Sequence, residues 1–355
     1  MIVTNIRLLN FRNYIDEDVS FVKGINVITG LNGAGKTNLV EAIDYCSLGS
    51  SFRNVTNEAL IRNNEEKGRI IVSIFRPQRE EIDITLFRNK KVITLNGDPL
   101  KRVSELQGHL STLVFTPQDV NFFNESASVR RRFLDKGLSE RDKAYLEERK
   151  DYEKILKERN LLLKEDEIDT RYLSVLTEKL VSLGKVISEK RDKYIRALNK
   201  EANNILELIA PELGKISLEY EASLPKFYEE EEVIRKIVQR NEKTERIRQH
   251  TLFGPHRDDL KAKISGNYVD THASQGEKRL IALSLKLSPY NLVKTHHDHP
   301  VVILDDVLSE LDNRHQDALI NYLRTLQQVF ITATTFNERA NAHYEISENH
   351  IRRTM

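Results

Sequence analysis

The sequence predicts a two-lobed α/β fold, in which a mixed sheet surrounds a glycine-rich loop and a mostly helical second lobe interrupts the first. Three observations support this fold class. The run GLNGAGKT at residues 30–37 lies between a short apolar strand and a helix. Two continuous apolar runs at 301–304 and 329–331 are typical of buried parallel strands. Between these regions, apolar residues recur every three or four positions, as in a long amphipathic helix.

The glycine-rich run has the GxxxxGK[ST] spacing of a P-loop, which binds the phosphates of nucleoside triphosphates. Its glycines let the backbone turn tightly and approach phosphate, and the helix N-terminus adds partial positive charge. Lys36 is predicted to contact the β and γ phosphates as a catalytic residue, and Thr37 to bind Mg²⁺. The predicted ATP-binding residues of the loop are Asn32, Gly33, Ala34, Gly35, Lys36, Thr37 and Asn38.

The composition limits the class of protein. The chain has 355 residues, of which 31% are charged, and its mean hydropathy is −0.50. We find no apolar run long enough for a bilayer span, so no membrane association is expected. The single cysteine, Cys46, excludes an internal disulfide framework and favours a cytoplasmic location. Because the net charge is only +1, nucleic-acid binding would require a local basic patch.

The order of elements follows from the periodicity. Alternating residues predict strands at 2–8, 69–75, 82–87 and 91–95, with turns at 89–90 and 96–97. A helical pattern then covers 145–164, 173–205 and 230–249, with one strand at 216–222. The last hundred residues return to α/β, with a strand at 260–265 and helices at 277–287 and 312–326.

Two carboxylates follow the apolar run at 301–304. Ligands of α/β sheets bind at the carboxyl ends of strands. Asp305 is therefore predicted to be the Walker-B carboxylate that holds Mg²⁺, and Asp306 the catalytic group that orients or deprotonates the attacking water. The alternative is that the two residues form an ordinary helix cap at the end of this strand.

A second candidate anion site is SQGEK at residues 274–278. Its candidate ligands are Ser274, Gln275, Gly276 and Glu277, which open a predicted helix. The same residue types also form a capping box. The interpretation as an anion site therefore depends on the position of this segment before the Asp305 strand.

The order of these segments resembles that of the ABC-type ATPases. The P-loop, Gln118, SQGEK, LDD and SELD match Walker A, Q-loop, signature, Walker B and D-loop. Within that superfamily the chain is most similar to SMC and DNA double-strand-break repair ATPases. LLNFRNY at 8–14, VRRRFLD at 129–135 and GPHRDD at 254–259 narrow the resemblance to the bacterial RecF family of recombinational repair ATPases. The resemblance runs from the first strand past residue 335.

The resemblance implies a two-lobed ABC-type ATPase head that binds ATP in two half-sites across a homodimer. The signature of one subunit, residues 274–277, would contact the γ-phosphate held by the P-loop of the other. Asp312 of the D-loop would communicate across the dimer, and Arg12 would lie near the nucleotide. Gln118 would act in catalysis by sensing Mg²⁺ and the attacking water. Lobe I would comprise 1–117 and 285–355, and lobe II 118–284.

The family also implies a function. We expect an ATP-dependent DNA-binding protein of replication, recombinational repair and the SOS response, which dimerises on DNA at single-strand gaps. Weak, DNA-stimulated ATP hydrolysis would release it, and it would help RecR and RecO to load RecA. The alternative is another SMC-like or ABC-type ATPase that does not act on DNA gaps.

Two departures from the ABC pattern affect the expected chemistry. The usual catalytic Glu is replaced by Asp306, whose carboxylate is one methylene shorter, so slow hydrolysis is expected. No switch His occurs in FITATT, where either Thr332 or Thr334 occupies that region. The helical insert is too short for the long coiled-coil arm of SMC proteins.

Three other stretches have alternative interpretations. Arg130, Arg131 and Arg132 are candidate contacts to the DNA backbone, or else solvated or ion-paired arginines. GPHRDD is either a functional loop near the nucleotide or a structural turn. The histidines at 296, 297 and 299 more closely match a solvated loop than a metal site.

Overall fold

The computed structural model describes residues 1–224, 231–293 and 299–355. The chain forms two compact units, each assembled from separate segments. The first contains Met1–Val120, Asn204–Leu213 and Arg279–Met355, and the second contains Asn121–Asn203 and Gly214–Lys278. The main boundaries lie close to those expected at 118 and 284, whereas residues 204–213 group with the first unit rather than with the insert.

The first unit contains two six-stranded sheets. Its strands are β1 (Ile2–Phe11), β2 (Tyr14–Ser20), β3 (Gly24–Thr29), β4 (Lys67–Arg76), β5 (Gln78–Phe87), β6 (Lys91–Leu95), β7 (Asp98–Pro99), β8 (Thr112–Phe115), β12 (Val301–Asp305), β13 (Gln328–Ala333), β14 (Ala342–Ser347) and β15 (His350–Arg353). Its helices include α1 (Lys36–Leu48), α2 (Asn57–Leu60) and α9 (Asn313–Leu323).

The first sheet is antiparallel, with strand order β2-β1-β4-β5-β6-β7. The strands predicted from alternation at 2–8, 69–75, 82–87 and 91–95 are all present. The predicted turn at Asn96-Gly97 is also present, with positive φ angles of 53° and 89° that match a type I′ hairpin.

The second sheet has the order β15-β14-β3-β13-β12-β8, and β14, β3, β13, β12 and β8 pair in parallel. The apolar runs of β12 and β13 are completely buried, as predicted for parallel strands. Strand β3 lies between β13 and β14, so the P-loop that follows β3 starts at the centre of the sheet.

A large hydrophobic core lies in the first unit. It joins the inner face of the antiparallel sheet, including Ile6 and Val72, to Leu39 and Ile43 of α1 and to Phe330 of β13. Cys46 on α1 is a buried free cysteine within this core. Cys46 therefore acts as a small buried residue of this core.

The second unit is mostly helical. Its elements are α3 (Ala127–Arg141), α4 (Lys143–Leu162), α6 (Glu231–Arg248), α7 (Val269–His272), β9 (Ile216–Glu221), β10 (Asp259–Ile264) and β11 (Asn267–Tyr268). The forty-residue helix α5 (Thr170–Ile209) and helix α8 (Gln275–Leu287) each cross a boundary between segments. The predicted α/β fold with a mostly helical second part is confirmed. No helix in the described part of the chain has the length and apolar character needed to cross a membrane.

Candidate nucleotide-binding site

The P-loop connects β3 to α1 and surrounds a cleft of about 150 Å³. The residues lining this cleft are Asn32, Gly33, Gly35, Lys36, Thr37, Asn38, Arg53 and Asp306. Gly35 has a φ of 112°, and a Cβ there would lie 2.5 Å from Asn13 Nδ2. Glycine is therefore required at 35 both by backbone conformation and by the close approach of the chain.

The N-terminus of α1 is open to an anion. Gly35 is the N-cap residue, and it has no side chain that could cap the first turn of the helix. The unpaired N–H groups of a helix N-terminus and its partial positive charge favour phosphate. The predicted loop residues thus converge on this cleft, apart from Ala34, which is not among the residues that line it.

Lys36 lies inside the loop with a 7% exposed side chain. Its ammonium group donates to the carbonyls of Gly30 at 2.7 Å and Leu31 at 3.0 Å. An ammonium has three donors, so two of them orient the group and one remains for a phosphate oxygen.

Thr37, Asp305 and Thr332 form the candidate Mg²⁺ site. The hydroxyls of Thr37 and Thr332 donate to Asp305 Oδ1 at 2.9 and 2.7 Å. Burial raises the pKa of Asp305, while these two hydrogen bonds oppose the rise. Among the described residues, no group of three or more His, Cys, Asp or Glu side chains could hold a metal alone. One carboxylate and one hydroxyl fit Mg²⁺, which takes its other ligands from water and substrate phosphates.

Asp306 lines the cleft with a left-handed backbone, at φ 54°. Its N–H donates to Thr332 Oγ1 at 2.9 Å, and Ser309 Oγ donates to its carbonyl at 3.2 Å. Asp tolerates this conformation better than most residues. Thr332 is thus tied to both carboxylate residues, whereas Thr334 is exposed after β13.

Arg53 is a residue of the cleft that the sequence did not reveal. Its guanidinium donates to Asn38 Oδ1 at 3.2 Å and lies 3.6 Å from the buried carboxylate of Glu41. The arginine follows α1 in the stretch SSFRN, and an isolated arginine in a loop carries no motif that sequence inspection would detect.

Arg12 was expected near the nucleotide, but it is not among the residues that line the cleft. It makes a bidentate ion pair with Glu41, with both N–O distances 3.0 Å, and donates to the carbonyl of Ala59 at 2.8 Å. Glu41 is buried and also accepts from the Ser51 hydroxyl, so its charge needs a cation close by. The structure therefore directs Arg12 to Glu41, and a nucleotide contact by Arg12 remains a prediction.

The other predicted site residues lie outside the cleft lining. Gln118 is exposed on the short helix Pro117–Asn121. Ser274 and Glu277 form the capping box, because Glu277 Oε2 accepts from the Ser274 N–H at 2.7 Å and Glu277 N–H donates to Ser274 Oγ at 3.3 Å. Both Gln275 and Gly276 are exposed. The signature segment is thus accessible at a helix start, and its role across a dimer remains a prediction.

Asp312 is the N-cap of α9 and accepts from the His315 N–H at 3.0 Å. The His315 ring bridges Asp312 Oδ2 at 2.5 Å and Glu212 Oε1 at 2.6 Å, and these carboxylates raise its pKa against the opposing effect of burial. The D-loop is therefore fixed to residues 211–213, which follow α5.

Arg130 was a candidate contact to the DNA backbone, but the structure buries it in an ion pair. Only 4% exposed, it pairs with Asp259 at 2.7 and 2.8 Å and donates to the carbonyls of Phe123 and Glu125. A buried guanidinium whose Nε, Nη1 and Nη2 atoms all bond within the protein is poorly placed to reach a phosphate. Arg131 is half-buried and donates to the Asp258 carbonyl at 2.7 Å, while Arg132 is exposed.

The GPHRDD stretch forms hydrogen bonds within the second unit. Asp258 is 1% exposed and accepts from the Tyr220 hydroxyl and from Ser223 N–H, and the Pro255 carbonyl accepts from Arg191 at 2.7 Å. These contacts favour the interpretation as a structural turn. His296 and His297 lie outside the described residues, and His299 stacks on Tyr290.

The fold and the site define a P-loop ATPase head of the SMC kind, and sequence comparison gives the family. Residues 2–353 match the family described as RecF/RecN/SMC N terminal domain. The chain is 39% identical over 350 residues to the DNA replication and repair protein RecF of Halothermothrix orenii, covering 95% of this chain and 93% of the relative. The chain belongs to the RecF family, as predicted.

Solved structures agree with this assignment. The structure of the recombination mediator protein RecF with ATP in the RecFOR pathway has a TM-score of 0.89 and 32% identity, covering 99% of this chain and 97% of that one. An SMC head bound to the C-terminal winged-helix domain of ScpA has a TM-score of 0.60 at 16% identity, covering 100% of this chain and 97% of that one. This second likeness concerns the fold alone.

Proposed function

We propose that this chain is a DNA replication and repair ATPase that uses ATP to close a homodimer on DNA. The observation that supports this most strongly is the arrangement at the cleft, where an uncapped helix N-terminus and Lys36 face Asp306, with the Thr37–Asp305 pair beside them. The ATP-bound RecF structure supports the choice of nucleotide, and the named RecF relatives support a role in DNA replication and repair.

In this proposal the loop residues bind and orient the triphosphate. The first N–H groups of α1 and the free donor of Lys36 bind phosphate oxygens. Thr37 and Asp305, with Gln118 as a further ligand, would hold Mg²⁺, which would neutralise phosphate charge. Asp306 accepts a proton from the attacking water or orients it. Its short side chain leads us to propose slow hydrolysis.

The second half of the site is proposed to come from another copy of the chain. The exposed segment at 274–277 offers a Ser hydroxyl and a glycine backbone at a helix start, which suit a γ-phosphate. ATP then stabilises the dimer by binding it better than two monomers, and hydrolysis favours separation. In this proposal Asp312 of the D-loop, which His315 holds by hydrogen bonds, communicates between the subunits.

The proposed site of action is DNA at single-strand gaps, in the cytoplasm, with weak DNA stimulation of the ATPase. RecR and RecO are the proposed partners, and loading of RecA during repair and the SOS response is the proposed outcome. These assignments rest on family membership. Because the net charge is +1, DNA affinity must come from local basic residues and should fall with added salt.

Sedimentation velocity of the whole chain tests this proposal, with ATP, ADP or no nucleotide, and with and without gapped DNA. We expect dimers only with ATP. Ser274→Arg should retain ATP binding and remain monomeric. Ser126→Arg is the matched control, because it places the same charge at the exposed N-cap of α3. If Ser274→Arg dimerises with ATP like wild type, the proposed trans contact is wrong.

The alternative, an SMC-like or ABC-type ATPase that does not act at gaps, makes a different prediction. It would dimerise with ATP and show no preference for gapped over continuous duplex. Competition between the two DNAs for the ATP-bound protein separates these functions.

A further inference from the structure

The side chain of Asn13 lies at the centre of a hydrogen-bond network behind the P-loop. Its Nδ2 donates to the carbonyl of Ala34 at 3.0 Å and to Asn349 Oδ1 at 2.6 Å. Its Oδ1 accepts from Asn38 Nδ2 at 2.8 Å. Both amide protons of Asn13 are therefore used, and one of them depends on Asn349 for its acceptor.

The carbonyl of the next loop residue is also held. The Tyr14 hydroxyl, which is fully buried, donates to the Gly35 carbonyl at 2.9 Å. Two consecutive loop carbonyls, of Ala34 and Gly35, thus accept from Asn13 in the β1–β2 turn and from Tyr14, the first residue of β2.

These two contacts determine where the loop N–H groups point. The carbonyl of Ala34 and the N–H of Gly35 belong to one peptide plane, as do the carbonyl of Gly35 and the N–H of Lys36. In a trans peptide the N–H points opposite to the C=O. Because the carbonyls are held by the β1–β2 turn, the N–H groups of Gly35 and Lys36 point the other way. Both residues line the cleft.

Asn349 reaches this network from the far end of the chain. It lies in the β14–β15 turn, where Glu348 and Asn349 have φ angles of 49° and 66°. Strand β14 pairs with β3, and a Cβ on Gly30 would lie 2.6 Å from the carbonyl of Ile346. The hairpin is therefore in direct contact with the loop, and its turn has a fixed position relative to Asn13.

We propose that Asn349 is a positioning residue for the nucleotide cleft. It accepts one proton of Asn13, which fixes the rotation of that amide so that the other proton meets the Ala34 carbonyl and the oxygen meets Asn38. Without Asn349, the amide of Asn13 keeps only its hydrogen bonds with Ala34 and Asn38, so the Ala34–Gly35 peptide plane is held less firmly. The consequence is weaker binding of a triphosphate, and this inference rests on the proposed ATP binding.

The test compares three variants of the full chain. Asn349→Gly removes the acceptor but keeps the positive φ without strain. Asn349→Asp keeps an acceptor at the same place and a residue type that tolerates this conformation. Glu348→Gly is the matched control, because it alters the neighbouring turn residue and leaves the acceptor intact. ATP dissociation constants and thermal unfolding midpoints are measured for each.

We expect Asn349→Gly to raise the ATP dissociation constant about three- to tenfold, the size of one lost polar contact. Its unfolding midpoint should match that of Glu348→Gly. Asn349→Asp and Glu348→Gly should stay within about twofold of wild type in ATP affinity. Without nucleotide, hydrogen–deuterium exchange of the loop peptide covering residues 30–38 should be faster in Asn349→Gly alone.

Two results overturn the inference. One is unchanged ATP affinity and loop exchange in Asn349→Gly. The other is an equal loss of affinity in Glu348→Gly, which would indicate a general effect of the turn. If wild type fails to bind ATP, the proposed function fails as well, so the two failures are distinguishable.

Discussion

The hydroxyl of Tyr14 donates to the carbonyl of Gly35, so the turn between the first two strands supports the P-loop from behind. Tyr14 is fully buried, and burial raises the pKa of its hydroxyl well above the ordinary value. The hydroxyl therefore remains a donor at all physiological pH values. The Gly35 carbonyl also accepts from the Leu39 N–H at 3.1 Å, so it does not depend on Tyr14 alone.

Tyr14→Phe should lower the free energy of unfolding by about 1 kcal/mol, because one buried hydrogen bond is lost. It should also weaken ATP binding, because the Gly35–Lys36 peptide is less firmly held. Tyr45→Phe is the matched control, since its buried hydroxyl bonds Asn57 at 2.9 Å in the same unit. Urea unfolding and ATP titration measure the two effects. Equal changes in ATP affinity for both variants would contradict the role given to Tyr14.

Asp306→Asn should bind ATP but turn it over very slowly, and so accumulate the ATP-bound dimer. Asn also tolerates the left-handed conformation at φ 54°, so the fold should be unaffected. Asp306→Ala adds backbone strain of about 1 kcal/mol or more, which makes it the poorer test. Phosphate release and light scattering with ATP are the measurements. Wild-type turnover in Asp306→Asn would exclude Asp306 as the group that acts on water.

Gly137→Ala should destabilise the second unit, although alanine usually favours a helix. A Cβ at Gly137 would lie 2.1 Å from the Tyr194 hydroxyl and 2.9 Å from Cζ. Overpacking of this kind costs about 1–3 kcal/mol, more than the gain of about 1 kcal/mol in helix propensity. Thermal or urea unfolding gives the difference.

The Tyr194 hydroxyl gives this prediction a control. It is buried and has no hydrogen-bond partner among the described residues, so Tyr194→Phe should cost little or even stabilise. The double variant should recover part of the loss of Gly137→Ala. Strict additivity of the two changes would show that the hydroxyl is not the obstacle.

The stability of the second unit should depend on pH through His256. Burial, together with nearby arginines, lowers the pKa of this ring from 6.5 to about 4. Its Nδ1 lies 2.7 Å from the Tyr152 hydroxyl, and its Nε2 lies 3.2 Å from the Thr251 carbonyl, which fits a neutral ring. The unfolded chain takes up a proton below pH 6.5, whereas the folded chain does so only near pH 4.

The contribution of His256 is therefore complete above pH 6.5 and is lost as the pH falls toward 4, by up to about 3 kcal/mol. His256→Gln should remove this contribution to the pH dependence of the free energy of unfolding. Urea midpoints measured from pH 7.5 to 4 for both proteins test this. Parallel curves would show that His256 does not titrate differently in the two states.

The sequence predicted those features that depend on local pattern. Period-two alternation identified the strands of the antiparallel sheet, and the apolar runs identified β12 and β13. GxxxxGK[ST] located the cleft because the phosphate geometry constrains residues that are adjacent in the chain. The helix predicted at 312–326 is also present, and Asp312 is its N-cap.

The features that the sequence did not predict depend on contacts between distant residues. Arg130 looked like a surface arginine beside two others, but Asp259, more than a hundred residues away, makes it a buried ion pair. Arg12 was assigned to the nucleotide from the family resemblance, and its ion pair with Glu41 was not predicted because a single Glu in α1 carries no signal in the sequence. Asn349 and Arg53 are single polar residues in turns, and only the folded chain brings them to the loop.

The position of β3 between β13 and β14 has a consequence for synthesis on the ribosome. The P-loop is translated early, yet the strands that flank β3 are made roughly three hundred residues later. Pairing at such separation is slow and carries a large loop-closure cost. The nascent chain therefore cannot form an ordered nucleotide site until β13 and β14 have been made, and a chain terminated before them should expose an apolar strand to chaperones instead of holding ATP.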